Sequence, residues 1–484
     1  MKLTFYGGIR EIGGSKVLLQ DKNTAIFLDF GKTYHEASKY FEEFLNPRVV
    51  HGLKDYLELG LLPKKQGIYR EDLIKILNKE GENQISYSKP KVDGVLLSHG
   101  HLDHAGYISF LDPQIPVFIS KNTMAVLKAF YISRPKSLEN EILELSLRDV
   151  EDPRKRKKRR RKFKIINNQE LFFIKNLEIV PIEIDHSVPG ACMFLIKTSK
   201  GNILYSGDFR LSEIKQSEKK KIYSFLKKSK IKIFICEGTR IKEQSILREK
   251  EVYKKALENI GKIKGLVVVD YSIGDIVRFK TLLKIAKKAR RIIALPYNYF
   301  NYLTVLEKEG VLKEKGIKKS DLKNVRLYAK RKITFKKWER DLLKNYKTCN
   351  SNDIKKNKKK FMLILNFYQV QELIDIKPGK ESYYLRAITE PHSEEMEISE
   401  ERFVNWIKHF NMQGLKNEKD EDGIIKKVFE RAHISGHISG KELAEFIKEI
   451  QPEMIIPVHT EFPEEFKKMH KKVKIVEKGE TLNF

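Results

Sequence analysis

The residues Ser98-His99-Gly100-His101-Leu102-Asp103-His104 place three imidazoles and a carboxylate within six positions. They follow the apolar run Val95-Leu96-Leu97 directly, which puts them on a loop that leaves a strand and enters a helix. Buried without partners, such groups would be strongly destabilising. Their chemistry suits metal instead: imidazole nitrogen and carboxylate oxygen are ligands for Zn²⁺, and for Mn²⁺ or Fe²⁺ as well. Four donors so close can divide into two pairs facing two ions. Two neighbouring ions can make a hydroxide from water at neutral pH and offset the charge that develops on a phosphorus under attack.

Strands must hold this loop, and the sequence predicts them as short apolar or alternating runs at residues 16–19, 25–30, 94–97, 116–120, 177–184, 193–197 and 202–205. Several end in Ser, Asp or Gly, so polar groups gather where strands finish. From about residue 231 the rhythm changes to strand followed by helix, as in 265–270 with 275–289 and 291–296 with 299–310, which predicts a mainly parallel sheet with helices on its faces. After about residue 422 the pattern returns to strand, histidine loop and helix, closing with Met454-Ile455-Ile456-Pro457-Val458-His459. A chain of 484 residues accommodates two such domains. The division expected is 1–230, then an insertion at 231–422, then a return at 423–484.

Composition limits the setting. The amino terminus lacks the apolar core of a secretion signal, and no uninterrupted apolar span approaches about 20 residues, so a soluble, cytoplasmic protein without membrane contact is expected. Cys192, Cys236 and Cys349 are scattered without CxxC spacing and read as buried thiols of a reducing compartment. A formal charge of +30 gives a long-range field that attracts polyanions. Residues 154–162, Arg-Lys-Arg-Lys-Lys-Arg-Arg-Arg-Lys, concentrate that charge. Repulsion at such density predicts an exposed arm or helix end.

The 98–104 motif is an HxHxDH signature, and with it the chain resembles the metallo-β-lactamase superfamily. Phe27-Leu28-Asp29-Phe30-Gly31, Asp185-His186 and Tyr205-Ser206-Gly207-Asp208-Phe209-Arg210 extend the resemblance in order. Ile235-Cys236-Glu237-Gly238-Thr239-Arg240, His433-Ile434-Ser435-Gly436-His437 and Pro457-Val458-His459-Thr460-Glu461 are similar to motifs of its β-CASP nucleases, and most of all to the ribonuclease J-like group. The resemblance implies an α/β fold, an αββα sandwich carrying an inserted β-CASP α/β domain. It implies that His99, His101 and His186 hold one zinc, that Asp103, His104 and His459 hold a second, and that Asp208 bridges both. Asp29 would then orient a ligand imidazole and Glu237 would support the site from outside the ligand set.

The same resemblance places His433, Ser435 and His437 against RNA phosphate, with His437, Asp208 and Asp103 as the catalytic residues. Ser439-Gly440-Lys441-Glu442 has capping-box form, so a helix begins just past His437, and helix N-termini attract phosphate. The reading is a hydrolase of RNA phosphodiesters that uses two Zn²⁺, with Mn²⁺ as a substitute. It is a 5′-to-3′ exonuclease that also admits endonuclease action. Its partner is single-stranded RNA, with DNA the nearest alternative and a homodimer compatible. The rival reading is a non-catalytic RNA-binding subunit of a processing complex, which would have lost ligands, whereas here every ligand position is filled.

Overall fold

The computed structural model describes the chain except residues 43, 80, 82–84, 136, 153, 392–393 and 420–424 and the side chain of residue 394. Two compact units result, Met1–Ile246 with Gly436–Phe484, and Leu247–Ser435.

In the first unit, strands whose two faces are both apolar stack into two sheets. One is seven-stranded, in the order Thr481–Asn483, Lys2–Gly7, Lys16–Asp21, Thr24–Leu28, Gly94–Leu96, Val117–Ser120 and Phe163–Ile166. The other is six-stranded, in the order Met454–Pro457, Ile231–Cys236, Gly201–Tyr205, Cys192–Thr198, Leu177–Glu183 and Phe172–Ile174. Side chains alternate across a strand. Val17, Leu19, Leu28 and Leu96 therefore point inward and meet Ile179, Phe194, Ile203, Ile235 and Ile456 of the second sheet. Leu18, Phe27, Val95 and Leu97 point outward beneath helix Glu71–Lys79, which buries Leu73, Ile74 and Leu77. Across the molecule, Met193, Leu204 and Phe234 receive Ile222 and Leu226 of helix Gln216–Lys228, and Leu443, Phe446, Ile447 and Ile450 of helix Gly440–Ile450. The result is the αββα sandwich expected.

The second unit carries a six-stranded sheet in the order Thr348–Cys349, Val325–Tyr328, Ile292–Leu295, Phe361–Ile364, Val267–Tyr271 and Tyr383–Ala387. All its strand pairs are parallel, as the strand-helix alternation predicts. Asp275 caps Ile276–Lys288 by accepting from Arg278 N, and the helix expected at 299–310 begins two residues earlier, as Tyr297–Lys308 directly after Pro296.

The first division falls later than residue 230, after Ile246. Ile231–Cys236 opens the strand-helix rhythm, yet it lies in the sandwich, paired in parallel with Gly201–Tyr205 and Met454–Pro457. The division placed at 422/423 lies outside the described residues, and the second unit runs on to Ser435. The three cysteines are buried and unbridged. Among the described residues no helix is long and apolar enough to cross a membrane.

The basic run is neither a free arm nor a helix end. Arg156–Arg160 is a strand paired antiparallel with Glu144–Arg148, all five side chains exposed. Alternation sends neighbouring cations to opposite faces, and Lys158 Nζ meets Glu144 at 2.6 Å across the pair. The run is also not wholly exposed. Arg161 is buried and donates to the carbonyls of Leu111 at 2.8 Å, Ile108 at 2.9 Å and Asp112 at 3.2 Å.

Candidate metal centre

Each group in the 98–104 loop is placed by the end of a strand. Gly94–Leu96 stops, His99 turns inward, His101 becomes the residue before a single helical turn, and Leu102–Ala105 carries Asp103 and His104. The loop lies against backbone where two glycines allow it. A Cβ on Gly31 would stand 1.6 Å from the Asp103 carbonyl oxygen, and one on Gly13, whose φ is +83°, would stand 2.8 Å from Asp103 Cβ. Asp29 and His459 end their strands with φ of 56° and 52°. That left-handed backbone is uncommon for any residue but glycine, and both residues use it to face the centre.

Three sets of donor atoms converge, each within 4.8 Å: His99, His101, His186 and Asp208; Asp103, His104, Asp208 and His459; Asp208, Glu237, His437 and His459. Asp208 is common to all three. His101 Nδ1 lies 3.0 Å from His99 Nε2 and 3.2 Å from His186 Nε2, so nitrogens face nitrogens. Asp208 Oδ1 stands 3.2 Å from His104 Nε2 and 3.5 Å from His459 Nε2, and Oδ2 stands 3.6 Å from His99 Nε2.

Both Asp208 oxygens and His104 Nε2 are buried without a hydrogen bond among the described residues. A buried carboxylate is strongly disfavoured when left so. A cation between Asp208 and the imidazoles would satisfy all of them together, and the set of nitrogens and carboxylate oxygens fits zinc. The electrostatics agree with that need. Burial, with crowding by neighbouring imidazoles, holds His99 and His186 well below the usual histidine range, and burial brings His101 down to about 4, so all three are neutral donors. Burial also works against charge on Asp208, but His104, His459 and His437 outweigh it and keep the carboxylate ionised.

The outward nitrogens of the ring set are all engaged. A carboxylate can only accept, so His104 Nδ1 donates to Asp29 Oδ2 at 2.7 Å and turns Nε2 to the centre. Asp29 accepts further from Ser98 N at 2.7 Å, Ser98 Oγ at 2.6 Å and Tyr205 OH at 2.6 Å. His186 Nδ1 donates to the Gly436 carbonyl at 2.8 Å, and His459 Nδ1 sits 2.9 Å from Thr239 Oγ1. Ser98, Tyr205, Thr239 and Gly436 were not singled out as site residues. Each nevertheless lies inside or beside a quoted motif, and that adjacency was the signal. Asp29→Ala should weaken metal affinity by about 10- to 100-fold, the scale for losing a ligand's outer partner. Competition with a chromogenic chelator measures it, and unchanged affinity would remove Asp29 from this role.

His437 differs from four of the five imidazoles in the first two donor sets, His101 being half-buried as it is. Its side chain is 20% exposed, against 0–1% for His99, His104, His186 and His459. Its Nδ1 donates to Glu237 Oε2 at 2.9 Å, and Glu237 Oε1 accepts from Phe209 N at 2.8 Å, next to Asp208. Burial opposes charge on His437, but Glu237 and Asp208 prevail and push it up to about 9. The helix after it starts as expected, with Ser439 accepting from Glu442 N. Its first amide is not open to phosphate, because Gly440 N donates to the carbonyls of Arg240 and Glu243. His433 and Ser435 are half-buried at the end of the second unit.

Comparison with known proteins agrees with this geometry. Residues 79–247 match the model of the beta-lactamase superfamily domain, and residues 425–476 match that of the Zn-dependent metallo-hydrolase RNA specificity domain. Both matches, with the relatives that follow, support a metallo-β-lactamase-type protein similar to the ribonuclease J group. It is 22% identical to ribonuclease J of Pyrococcus abyssi, over 96% of this chain and 90% of that protein. It is also 22% identical to ribonuclease J of Methanocaldococcus jannaschii, over 100% of this chain and 99% of that one. Ribonuclease J 2 of Streptococcus pyogenes is 21% identical, over 96% of this chain and 70% of its own length. A crystal structure of a protein of unknown function from Enterococcus faecalis shares the fold, with a TM-score of 0.70 at 20% identity over 99% of both chains.

Proposed function

We propose that this chain hydrolyses RNA phosphodiesters at the cluster centred on Asp208, using two zinc ions. The observation that carries the reading is Asp208 itself, a buried carboxylate without hydrogen bonds among the described residues that belongs at once to two separate ligand sets. His99, His101 and His186 would hold one ion, Asp103, His104 and His459 the other, with Asp208 shared. Elemental analysis of metal-loaded protein should find two ions per chain, and one or none would count against that division.

When bound, the ions supply a water nucleophile at neutral pH and offset charge on the attacked phosphorus. The chain's own residues do the rest. Asp29, Thr239 and the Gly436 carbonyl fix the ring orientations, so little reorganisation is needed as charge develops. In the reaction a bond forms from water oxygen to phosphorus, the bond from phosphorus to the 3′ oxygen breaks, and the departing oxygen takes a proton. His437, held through Nδ1 by Glu237 and partly exposed, is placed to donate to a phosphate oxygen or to the leaving 3′ oxygen. The product carries a 5′ phosphate.

His433 and Ser435 would receive the terminal phosphate of the strand. RNA with a 5′ monophosphate should therefore be degraded faster than the triphosphate form, and a circular strand more slowly than either. Labelled RNA and DNA in the same assay test the substrate class. Equal rates on monophosphate, triphosphate and circular RNA would remove the exonuclease reading, and faster cleavage of DNA would make DNA the substrate.

A further inference from the structure

The hairpin formed by Glu144–Arg148 and Arg156–Arg160 carries a cluster of cations that plays no part in the metal centre. Beside it lies a cavity of about 560 Å³, lined among others by Arg70, Asp72, Tyr87, Arg156, Lys157 and Arg159. Arg156, Lys157 and Arg159 make no ion pair among the described residues, whereas Lys158 is paired with Glu144 and Arg154 with Asp152.

Charged edge strands commonly serve to block edge-to-edge association. One or two lysines do that, and nine consecutive cations exceed it. The hairpin is also anchored from below, which protection of an edge does not need. Arg161 is fastened into the core at its end. Arg148 N donates to Asp72 Oδ2 at 2.9 Å, and the Arg148 guanidinium meets Glu141 at 3.0 Å. Buried Arg70 ties Asp72 and Glu141 together at 2.7 and 2.8 Å. Asp72 and Glu141 are thus engaged in holding the hairpin; Glu71, Asp112 and Asp149 also line the cavity and are engaged with Lys75, with Gln114 N and Tyr87, and with the amides of Glu151 and Asp152, so the outer cations stand in a fixed array. Lys157 and Arg159 share one face of the strand about 7 Å apart, twice the rise per residue, and Arg156, on the alternate face, lines the same cavity. A preorganised row of that kind binds a polyanion with less ordering cost than a mobile arm.

We infer that this hairpin is a second docking site for single-stranded RNA, in which Arg156, Lys157 and Arg159 contact backbone phosphates away from the metal centre. The inference rests on the RNA reading above. It implies that long strands are held at two places and short ones at one, and that the hairpin adds affinity without sequence preference.

The test uses the full chain with its metals and 2′-O-methylated RNA of two lengths, with anisotropy followed over a salt series. Arg156→Gln, Lys157→Gln and Arg159→Gln are combined in one variant. A control removes equal charge from the exposed face of helix Gln216–Lys228 through Lys220→Gln, Lys221→Gln and Lys227→Gln. For long RNA the hairpin variant should reduce the slope of log K against log salt by about 2, roughly 0.7 for each of three lost contacts, for every sequence alike. The control and the short RNA should retain their slopes. Equal slopes for wild type and hairpin variant overturn the site. So does an equal loss in the control, which would reduce the effect to net charge, or a loss confined to phosphatidylserine vesicles, which would make the partner a membrane. Wild-type protein that holds no RNA at any salt overturns the RNA reading as well.

Discussion

His437→Ala should retain both metals and bind RNA nearly as tightly as the wild type, yet lose roughly 10² to 10⁴ in single-turnover rate, the scale of removing a transition-state donor or general acid. Its Nδ1 is committed to Glu237, and its ring is a fifth exposed where those of His99, His104, His186 and His459 are buried. His459→Ala should behave differently, with metal content falling together with turnover, because His459 Nε2 faces Asp103 at 3.3 Å and Asp208 at 3.5 Å from a buried position. Glu237→Gln discriminates further. It keeps the side chain's shape but weakens its hold on His437, so it should slow the reaction while leaving metal stoichiometry intact. Metal loss in His437→Ala with retention in His459→Ala would exchange the two roles.

Asp208→Ala should have the largest effect of any single change. It removes the carboxylate common to all three donor sets and leaves His99, His101, His104, His186 and His459 facing one another with no shared anion. Activity should fall to background, and the protein should lose its thermal response to metal. A ligand present at about 1,000 times its Kd stabilises the folded state by about 4 kcal/mol, so chelation should lower the wild-type Tm by several degrees. The Asp208→Ala protein should melt at the same temperature with and without chelator. A variant that still gains stability from zinc would show that Asp208 is not the bridge.

Much of this centre was legible because its densest part is contiguous. His99, His101, Asp103 and His104 declare a metal loop by type and spacing, and the strand before them predicts where the loop lies. What could not be read is how distant groups meet. His186 is held by the carbonyl of Gly436 and His459 by Thr239, contacts that span 250 and 220 residues and involve backbone or a hydroxyl with no pattern of its own. The helix after His437 was predicted with its cap, but Gly440 N donates to carbonyls brought from Arg240 and Glu243, and a local capping rule contains nothing of those.

Residues 154–162 misled for a similar reason. Repulsion acts between sequence neighbours in an arm or a helix end, whereas in a strand neighbours point apart and the relevant partner, Glu144, sits across the hairpin. Arg161 could not be separated from the cations around it, because only the core carbonyls it satisfies set it apart. Ile231–Cys236 shows the same limit at the level of domains. A strand followed by a helix reads the same in either sheet, and its pairing with Gly201–Tyr205 and with Met454–Pro457, the latter more than 200 residues away, assigns it to the sandwich.

The most direct measurement is cleavage of RNA by the zinc-loaded chain in oxygen-18 water, with the products weighed by mass spectrometry. Attack of water on phosphorus at the Asp208 cluster predicts one heavy oxygen in the 5′ phosphate formed at each cut and a 3′ hydroxyl on the other side, with no cleavage in Asp208→Ala. Products ending in 2′,3′-cyclic phosphate, or newly formed 5′ phosphates without the label, would contradict it.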